Sequence, residues 1–95
     1  MYIRIATLTY DPAQEAEVLR IIDEVAIPTF RQLPGFVSYT GGFDRAAQRG
    51  VAVTIWDDMD HAAGFRTALG GIIQQFEAVG VRFDPAQLYE LTRQV

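Results

Sequence analysis

The side chains best suited to chemistry lie near the middle of the chain, where a predicted strand passes into a predicted helix. Trp56 is the only tryptophan of the sequence, and His61, the only histidine, follows it closely. An indole can stack on a flat ligand and donate one hydrogen bond, and an imidazole can exchange a proton near neutral pH. We therefore predict Trp56 and His61 as catalytic residues.

Each of these two residues also has a structural interpretation. Trp56, at the end of a strand, can fill space between sheet and helix as a core side chain. His61 falls in the first turn of the predicted helix, where it can stay partly exposed without a catalytic role. The sequence leaves both alternatives open.

Three aspartates, Asp57, Asp58 and Asp60, surround the start of that helix. Carboxylates are stabilised there by the positive end of the helix dipole, so capping is their commoner use, although they could also bind a divalent cation. The chain has no cysteine and one histidine, which excludes thiolate, iron–sulfur and multi-histidine sites within one chain. We predict no metal site.

Two further residues are candidates for ligand contact. Thr7, on the first predicted strand, would place a hydroxyl inside an otherwise apolar cavity, where a ligand or water would have to satisfy it. Phe65 lies one helical turn after His61 and is predicted as a pocket wall or as a core side chain.

The patterns around these residues predict four strands and two helices. Residues 2–10 alternate with a period of two, and Asp11-Pro12 begins a helix that should break or kink near Ile27, ahead of Pro28. Further along, we predict strands at 36–43, 51–57 and 87–94, a hairpin loop at 44–50, a helix that ends at Gly80, and a short extended piece or turn at 81–85.

Strict alternation assigns the side chains of the second strand to two faces. One face would carry Phe36, Ser38, Thr40 and Gly42, and the other Val37, Tyr39, Gly41 and Phe43. The Gly41-Gly42 pair predicts a β-bulge or a close backbone approach.

The element order βαββαβ predicts an α+β, ferredoxin-like fold, with a four-stranded antiparallel sheet and both helices on one face. The other face would expose Val51, Val53 and Ile55 in a monomer. A homodimer that pairs two such sheet faces would cover them. We expect residues 1–95 to form a single domain.

The net charge of −4 and the scattered arginines argue against a nucleic-acid surface. The sequence shows no signal peptide and no apolar run long enough to span a membrane, so we expect no membrane partner and a cytoplasmic location.

Two short motifs resemble the antibiotic-biosynthesis-monooxygenase-like domains of the dimeric α+β barrel superfamily. They are Leu33-Pro34-Gly35-Phe36 before the second strand, and the stretch from Thr54 through Trp56 to Ala62. The resemblance implies a homodimer with a cavity near Trp56 that binds a small aromatic or quinone-type molecule. It also implies monooxygenation without a cofactor, with Tyr39 as a phenol donor and Arg66 as a cation beside the ligand.

The sequence departs from this family in ways that keep alternatives open. Haem-degrading relatives combine a strand Asn, the Trp and a helix His, whereas this chain has no Asn, and Phe65-Arg66 stands near the expected His position. Haem degradation is therefore disfavoured. The main alternative to an enzyme is a non-catalytic dimer that binds a small molecule or a partner, which side chains filling the space around Trp56 would favour.

Overall fold

The computed structural model describes residues 1–64 and 67–95 in full, and the side chains of Phe65 and Arg66 lie outside the described residues. The strands are β1 (Tyr2–Thr9), β2 (Phe36–Asp44), β3 (Arg49–Trp56), β4 (Arg82–Phe83) and β5 (Gln87–Glu90). The α-helices are α1 (Glu15–Ile21), α2 (Ile27–Gln32), α3 (Met59–Ala68) and α4 (Gly70–Ala78).

The sheet confirms the predicted ferredoxin-like order. β3 lies between β2 and β1, and both β4 and β5 pair with the other edge of β1, with every pairing antiparallel. β4 lies in the predicted extended piece at 81–85 and β5 in the predicted last strand, and the two are separate because the chain around Pro85 cannot continue a hydrogen-bonded ladder. β5 ends at Glu90, earlier than predicted.

The prediction of strict alternation in β2 is wrong at its start. Phe36 pairs with Trp56, but Ser38 pairs with Ile55, so Val37 is an extra residue in a β-bulge. The bulge reverses the alternation, and Phe36 faces the same side as Tyr39. The bulge expected at Gly41-Gly42 is absent from that register, but a Cβ on Gly41 would lie 2.5 Å from Tyr39 Oη, so the close approach expected there is present.

The first helix contains a wide turn just before Pro28. A π-helical segment, Ile22–Ala26, joins α1 to α2, so the predicted break near Ile27 is a local widening within a continuous helical path. Thr29 Oγ1 donates to the carbonyl of Val25 at 2.8 Å beside this turn. The predicted second helix is divided at Leu69 into α3 and α4.

The core lies between the sheet and the helices. Val18 and Ile21 of α1 and Phe76 of α4 are buried against the side chains of β1 and β3 that face them. Among the described residues, no helix is long and apolar enough to cross a membrane.

The Pro34-Gly35 turn fastens β2 to the start of α3. Gly35 has φ +80°, its carbonyl accepts from Asp57 N at 2.8 Å, and a Cβ on it would lie 2.2 Å from Asp57 Oδ1 and 2.3 Å from His61 Nδ1. A side chain at this position would therefore combine a strained backbone with a clash against the Asp57 and His61 side chains.

We expect Gly35→Ala to lower the free energy of unfolding by about 1–2 kcal/mol, mainly from the positive φ, because the two clashing side chains can move apart. Urea denaturation measures this loss. Gly71→Ala is the matched control, since Gly71 is helical with open space at its Cβ position; it should be neutral or stabilise by up to about 1 kcal/mol. Equal effects of the two substitutions would contradict the assigned role of Gly35.

Candidate functional site

The strand register arranges the helix-facing side chains in four rows across β1, β3 and β2, because directly paired residues point to the same face. The first row holds Tyr2, Trp56 and Phe36; the second Arg4, Thr54 and Tyr39; the third Ala6, Ala52 and Gly41; and the fourth Leu8, Gly50 and Phe43. We call the second the polar row and the third the small row. A cation and two hydroxyls thus stand beside three residues with almost no side chain.

A cavity of about 250 Å³ lies over the polar and small rows, between the sheet and the helices. Ala6 and Ala52 reach only to Cβ, so they leave space that larger side chains would fill. The opposite wall is apolar and consists of Ile22, Ala26, Phe30, Leu69, Ile72, Ile73 and Phe76. Two of these wall residues, Ile22 and Ala26, belong to the π-helical segment, a kind of turn that is often found at functional sites.

Trp56 does not line this cavity, so its predicted stacking on a ligand there is wrong. Its side chain is only 1 % exposed, packs edge-on against Phe36, and donates its indole N–H to Thr54 Oγ1 at 2.8 Å. Trp56 is thus the core side chain of the structural alternative. It also orients the hydroxyl of Thr54, which lines the cavity.

Tyr39, which the family resemblance implied as a phenol donor, lines the cavity. Its ring packs against Phe30 with centroids 5.8 Å apart, and burial raises the pKa of its hydroxyl above the ordinary value. The phenol is therefore protonated at neutral pH and can donate a hydrogen bond. A ligand contact by Tyr39 stays a prediction.

Thr7 faces the other side of the sheet, so its predicted place inside the cavity is wrong. It alternates with Ala6 and Leu8, which line the cavity, and its hydroxyl donates to Asp84 Oδ2 at 2.7 Å. The same carboxylate oxygen accepts from Arg49. The predicted ligand contacts of Phe65 and Arg66 lie outside the described residues.

His61 also lies apart from the cavity, which removes it as a base for a ligand bound there. Its side chain is 38 % exposed, and its Nδ1 is 2.6 Å from Asp57 Oδ1. With Trp56, Leu33 and Pro34, His61 lines a second, smaller hollow near the start of α3.

The aspartates at the start of α3 have structural partners. Asp58 Oδ1 accepts from the backbone N–H of His61 at 2.9 Å, as a helix cap does, and Asp57 pairs with the His61 ring. Side-chain atoms of Asp57, Asp58 and His61 lie within 4.8 Å of one another, which is close enough to hold a metal ion. Capping and the ion pair account for this arrangement without one.

Charged residues from α4 and the β4 region stand at the mouth of the cavity, namely Glu77, Arg82 and Asp84. Arg82 Nη1 donates to the carbonyls of Val81 at 2.8 Å and Glu77 at 3.2 Å. The hydrogen bond from Thr7, together with Arg49, holds the pKa of Asp84 below its usual range, so this carboxylate is ionised at neutral pH.

The sequence prediction missed the other two members of the polar row, Arg4 and Thr54. Arg4 lies on the same face of β1 as Ala6 and Leu8, which line the cavity. A charged residue on a strand face that is otherwise largely apolar was visible in the sequence. Thr54 lies between Val53 and Ile55 in a β-branched strand, so nothing in the sequence distinguished its hydroxyl. Its role depends on the indole of Trp56, which only the folded chain brings onto it.

The Asp57 hydrogen bond raises the pKa of His61 above its ordinary value near 6.5, and nearby Asp58 and Asp60 add to this. The pair therefore stabilises the fold fully below about pH 6.5, and that contribution is lost as the pH rises through the higher folded-state pKa. We expect an NMR titration of the single imidazole to give a pKa above 6.5, and Asp57→Asn to lower it. An unchanged pKa in that variant would contradict the pairing.

The sequence model of the antibiotic biosynthesis monooxygenase family matches residues 1–69. No curated protein sequence matches the chain significantly. Several solved structures share the fold.

HapK from Hahella chejuensis is 18% identical, with a TM-score of 0.80, covering 100% of this chain and 96% of that one. SnoaB from Streptomyces nogalater, a cofactor-independent oxygenase solved as its N63A mutant, is 24% identical, with a TM-score of 0.71 and coverage of 99% and 95%. The ActVA-Orf6 monooxygenase of Streptomyces coelicolor, solved with nanaomycin D, is 15% identical, with a TM-score of 0.72 and coverage of 99% and 88%.

At these identities the structural likenesses establish the fold alone. The sequence model, in contrast, covers well over half of the chain and includes both motifs, from the Pro34-Gly35 turn to the start of α3. The chain therefore belongs to the antibiotic biosynthesis monooxygenase family.

Proposed function

We propose that this protein is a cofactor-independent monooxygenase that oxidises a small aromatic or quinone-type molecule in the cavity. The observation that carries the proposal is the polar row of Arg4, Thr54 and Tyr39, which faces an apolar wall of helix side chains across the cavity. The family membership and the cofactor-independent oxygenase SnoaB among the structural neighbours support it.

The proposed reaction uses electrons of the substrate itself. A hydroxyarene loses its proton, and the resulting anion transfers an electron to O₂; the two radicals combine at a ring carbon as a peroxide. Loss of water then leaves a quinone, so that C₆H₆O and O₂, in the simplest case, would become C₆H₄O₂ and H₂O. One oxygen atom enters the ring, the other leaves as water, and O₂ accepts four electrons in total.

The polar row would favour this chemistry by stabilising the substrate anion. A guanidinium beside the hydroxyl lowers the cost of ionising it, and the two protein hydroxyls can donate to the oxygen that becomes negative. The proton would leave through the mouth, where Glu77 and Asp84 lie. The apolar walls exclude water and so protect the reactive intermediates.

The cavity volume favours a small substrate. A cavity of about 150 Å³ accommodates benzene, so about 250 Å³ suits one ring or two fused rings. A longer molecule would extend beyond the mouth.

Two observations favour the alternative of a non-catalytic binding protein. The Trp56 side chain is a buried core residue, and the cavity is slightly smaller than the roughly 300 Å³ typical of ligand sites. Under this alternative the same cavity would bind an aromatic molecule without oxidising it, so turnover and binding must be measured separately.

We also propose that the protein is a homodimer that pairs the sheet faces pointing away from the helices. Val53 and Ile55 of β3 lie beside Ile3 and Ile5 of β1 on this face, and all four are only partly buried by their own chain. Val51 is 38 % exposed. A second copy is the natural cover for such a patch.

We expect Ala52→Leu to lower turnover of small hydroxyarenes, such as 1-naphthol, at least about tenfold, because the new side chain fills the small row; overpacking should cost about 1–3 kcal/mol of stability. Oxygen consumption and quinone absorbance measure the rate. Ala78→Leu is the matched control, because Ala78 is exposed on α4, away from the cavity. Full activity of the Ala52 variant would place the chemistry elsewhere.

We expect Val53→Glu to convert the dimer into monomers, because the carboxylates would be buried without partners at the two-fold interface. Sedimentation equilibrium at micromolar concentration measures the mass, with Val53→Ile as the control that should stay dimeric. A wild-type protein that is already monomeric would overturn the proposed assembly.

A further inference from the structure

We propose that the cavity binds its aromatic ligand as an anion, and that Arg4 and Thr54 together hold the ionised oxygen. This inference rests on the proposed function only in taking the cavity as the ligand site. The ligand class is an aromatic ring with a carboxylate or a phenolate oxygen.

Arg4 is the one charged residue among the helix-facing residues of β1. It occupies a helix-facing position of β1, directly between Leu88 of β5 and Thr54 of β3 in the register, and its side chain lines the cavity. The neighbouring helix-facing positions along β1 are Tyr2 and Ala6. Its guanidinium is a charged donor on the cavity wall, opposite an apolar helix wall, and charge-assisted hydrogen bonds to an anion are the strong ones.

Thr54 provides the second donor. Its side chain is 2 % exposed, and its oxygen accepts the indole N–H of Trp56 at 2.8 Å. A hydroxyl that accepts one hydrogen bond still has its own proton to donate. The indole therefore fixes the Thr54 oxygen and leaves the hydroxyl proton for a partner in the cavity.

The two donors are close enough to share one acceptor. Arg4 and Thr54 are directly paired across antiparallel strands, and such residues have Cβ atoms about 4.5–5.5 Å apart. One oxygen atom above them can accept from the guanidinium and the hydroxyl together. Charge-assisted bonds of this kind are stronger than neutral ones.

The small row determines where the ring lies. Ala6 and Ala52 are the next pair along the two strands, so a ring attached to the held oxygen extends over them, toward the residues of the mouth. Tyr39 covers the third position of that row, since its Oη lies close to where a Gly41 side chain would stand. The ligand is thus oriented with its charge on the polar row and its ring over the small row.

The test compares ligands that differ only in charge. We expect calorimetry at neutral pH to show that 2-naphthoate binds at least about tenfold more tightly than 2-naphthamide, which has the same shape and no charge. Arg4→Gln should remove this preference by weakening 2-naphthoate at least about tenfold while changing 2-naphthamide less than about threefold. Thr54→Val should weaken 2-naphthoate by a smaller factor.

Control variants separate charge from folding. Arg31→Gln, at an exposed position of α2 away from the cavity, should leave both affinities unchanged. Arg4→Lys keeps the charge and should retain part of the preference. If Arg4→Gln fails to fold, the Arg4→Lys variant and the wild-type preference for 2-naphthoate decide the question.

The possible results separate this inference from the proposed function. Equal affinity of the wild type for the two naphthalenes, or unchanged 2-naphthoate affinity in Arg4→Gln, overturns the inference even if hydroxyarenes are oxidised. Binding of 2-naphthoate that depends on Arg4, without oxidation of any hydroxyarene, supports the inference and refutes the monooxygenase. A parallel titration with 2-naphthol at alkaline pH shows whether phenolates are held in the same way as carboxylates.

Discussion

The pairing of β3 with both of its neighbours is the constraint on which the rest of this structure depends. Because β1 and β2 are both in register with β3, residues far apart in sequence line up in rows across the sheet. One row contains donors, and the next contains residues too small to fill the space above them. The cavity is the consequence of that small row, and its polar floor is the consequence of the row beside it.

The β-bulge at Val37 is part of the same arrangement. Without the extra residue, Phe36 would face away from Trp56, and the aromatic row at the end of the sheet would lose a member. With it, Phe36 and Tyr39 both face the helices. The bulge thus lets a single strand supply an aromatic core contact and a cavity hydroxyl.

The element order, the ferredoxin-like sheet and the two faces of β1 were predictable from the sequence, because they follow from local periodicity and capping. The sequence did not reveal which face of β1 lines the cavity, so Thr7 was predicted as a cavity residue in place of Arg4. Alternation separates two faces, but it does not say which of them the helices cover when both carry apolar residues. The bulge was missed for a related reason, since Val37 fits a regular strand as well as a bulge.

Trp56 illustrates how a family motif can mark structure. The motif residues Gly35 and Asp57 meet at the joint between β2 and α3, and Trp56 is sealed in the core beside them. Gly35, Asp57 and Trp56 together form this joint, whereas the cavity lies over another part of the sheet. His61, the only histidine of the sequence, also belongs to this joint through its pair with Asp57 and therefore lies outside the cavity.

A crystal structure of the protein grown with 1-naphthol tests most directly whether the polar and small rows form a ligand site. We expect ligand density between the sheet and the helices, with the ring over Ala6 and Ala52 and the oxygen beside Arg4 and Thr54. A cavity filled by protein side chains, with the naphthol bound elsewhere or not at all, would contradict this expectation.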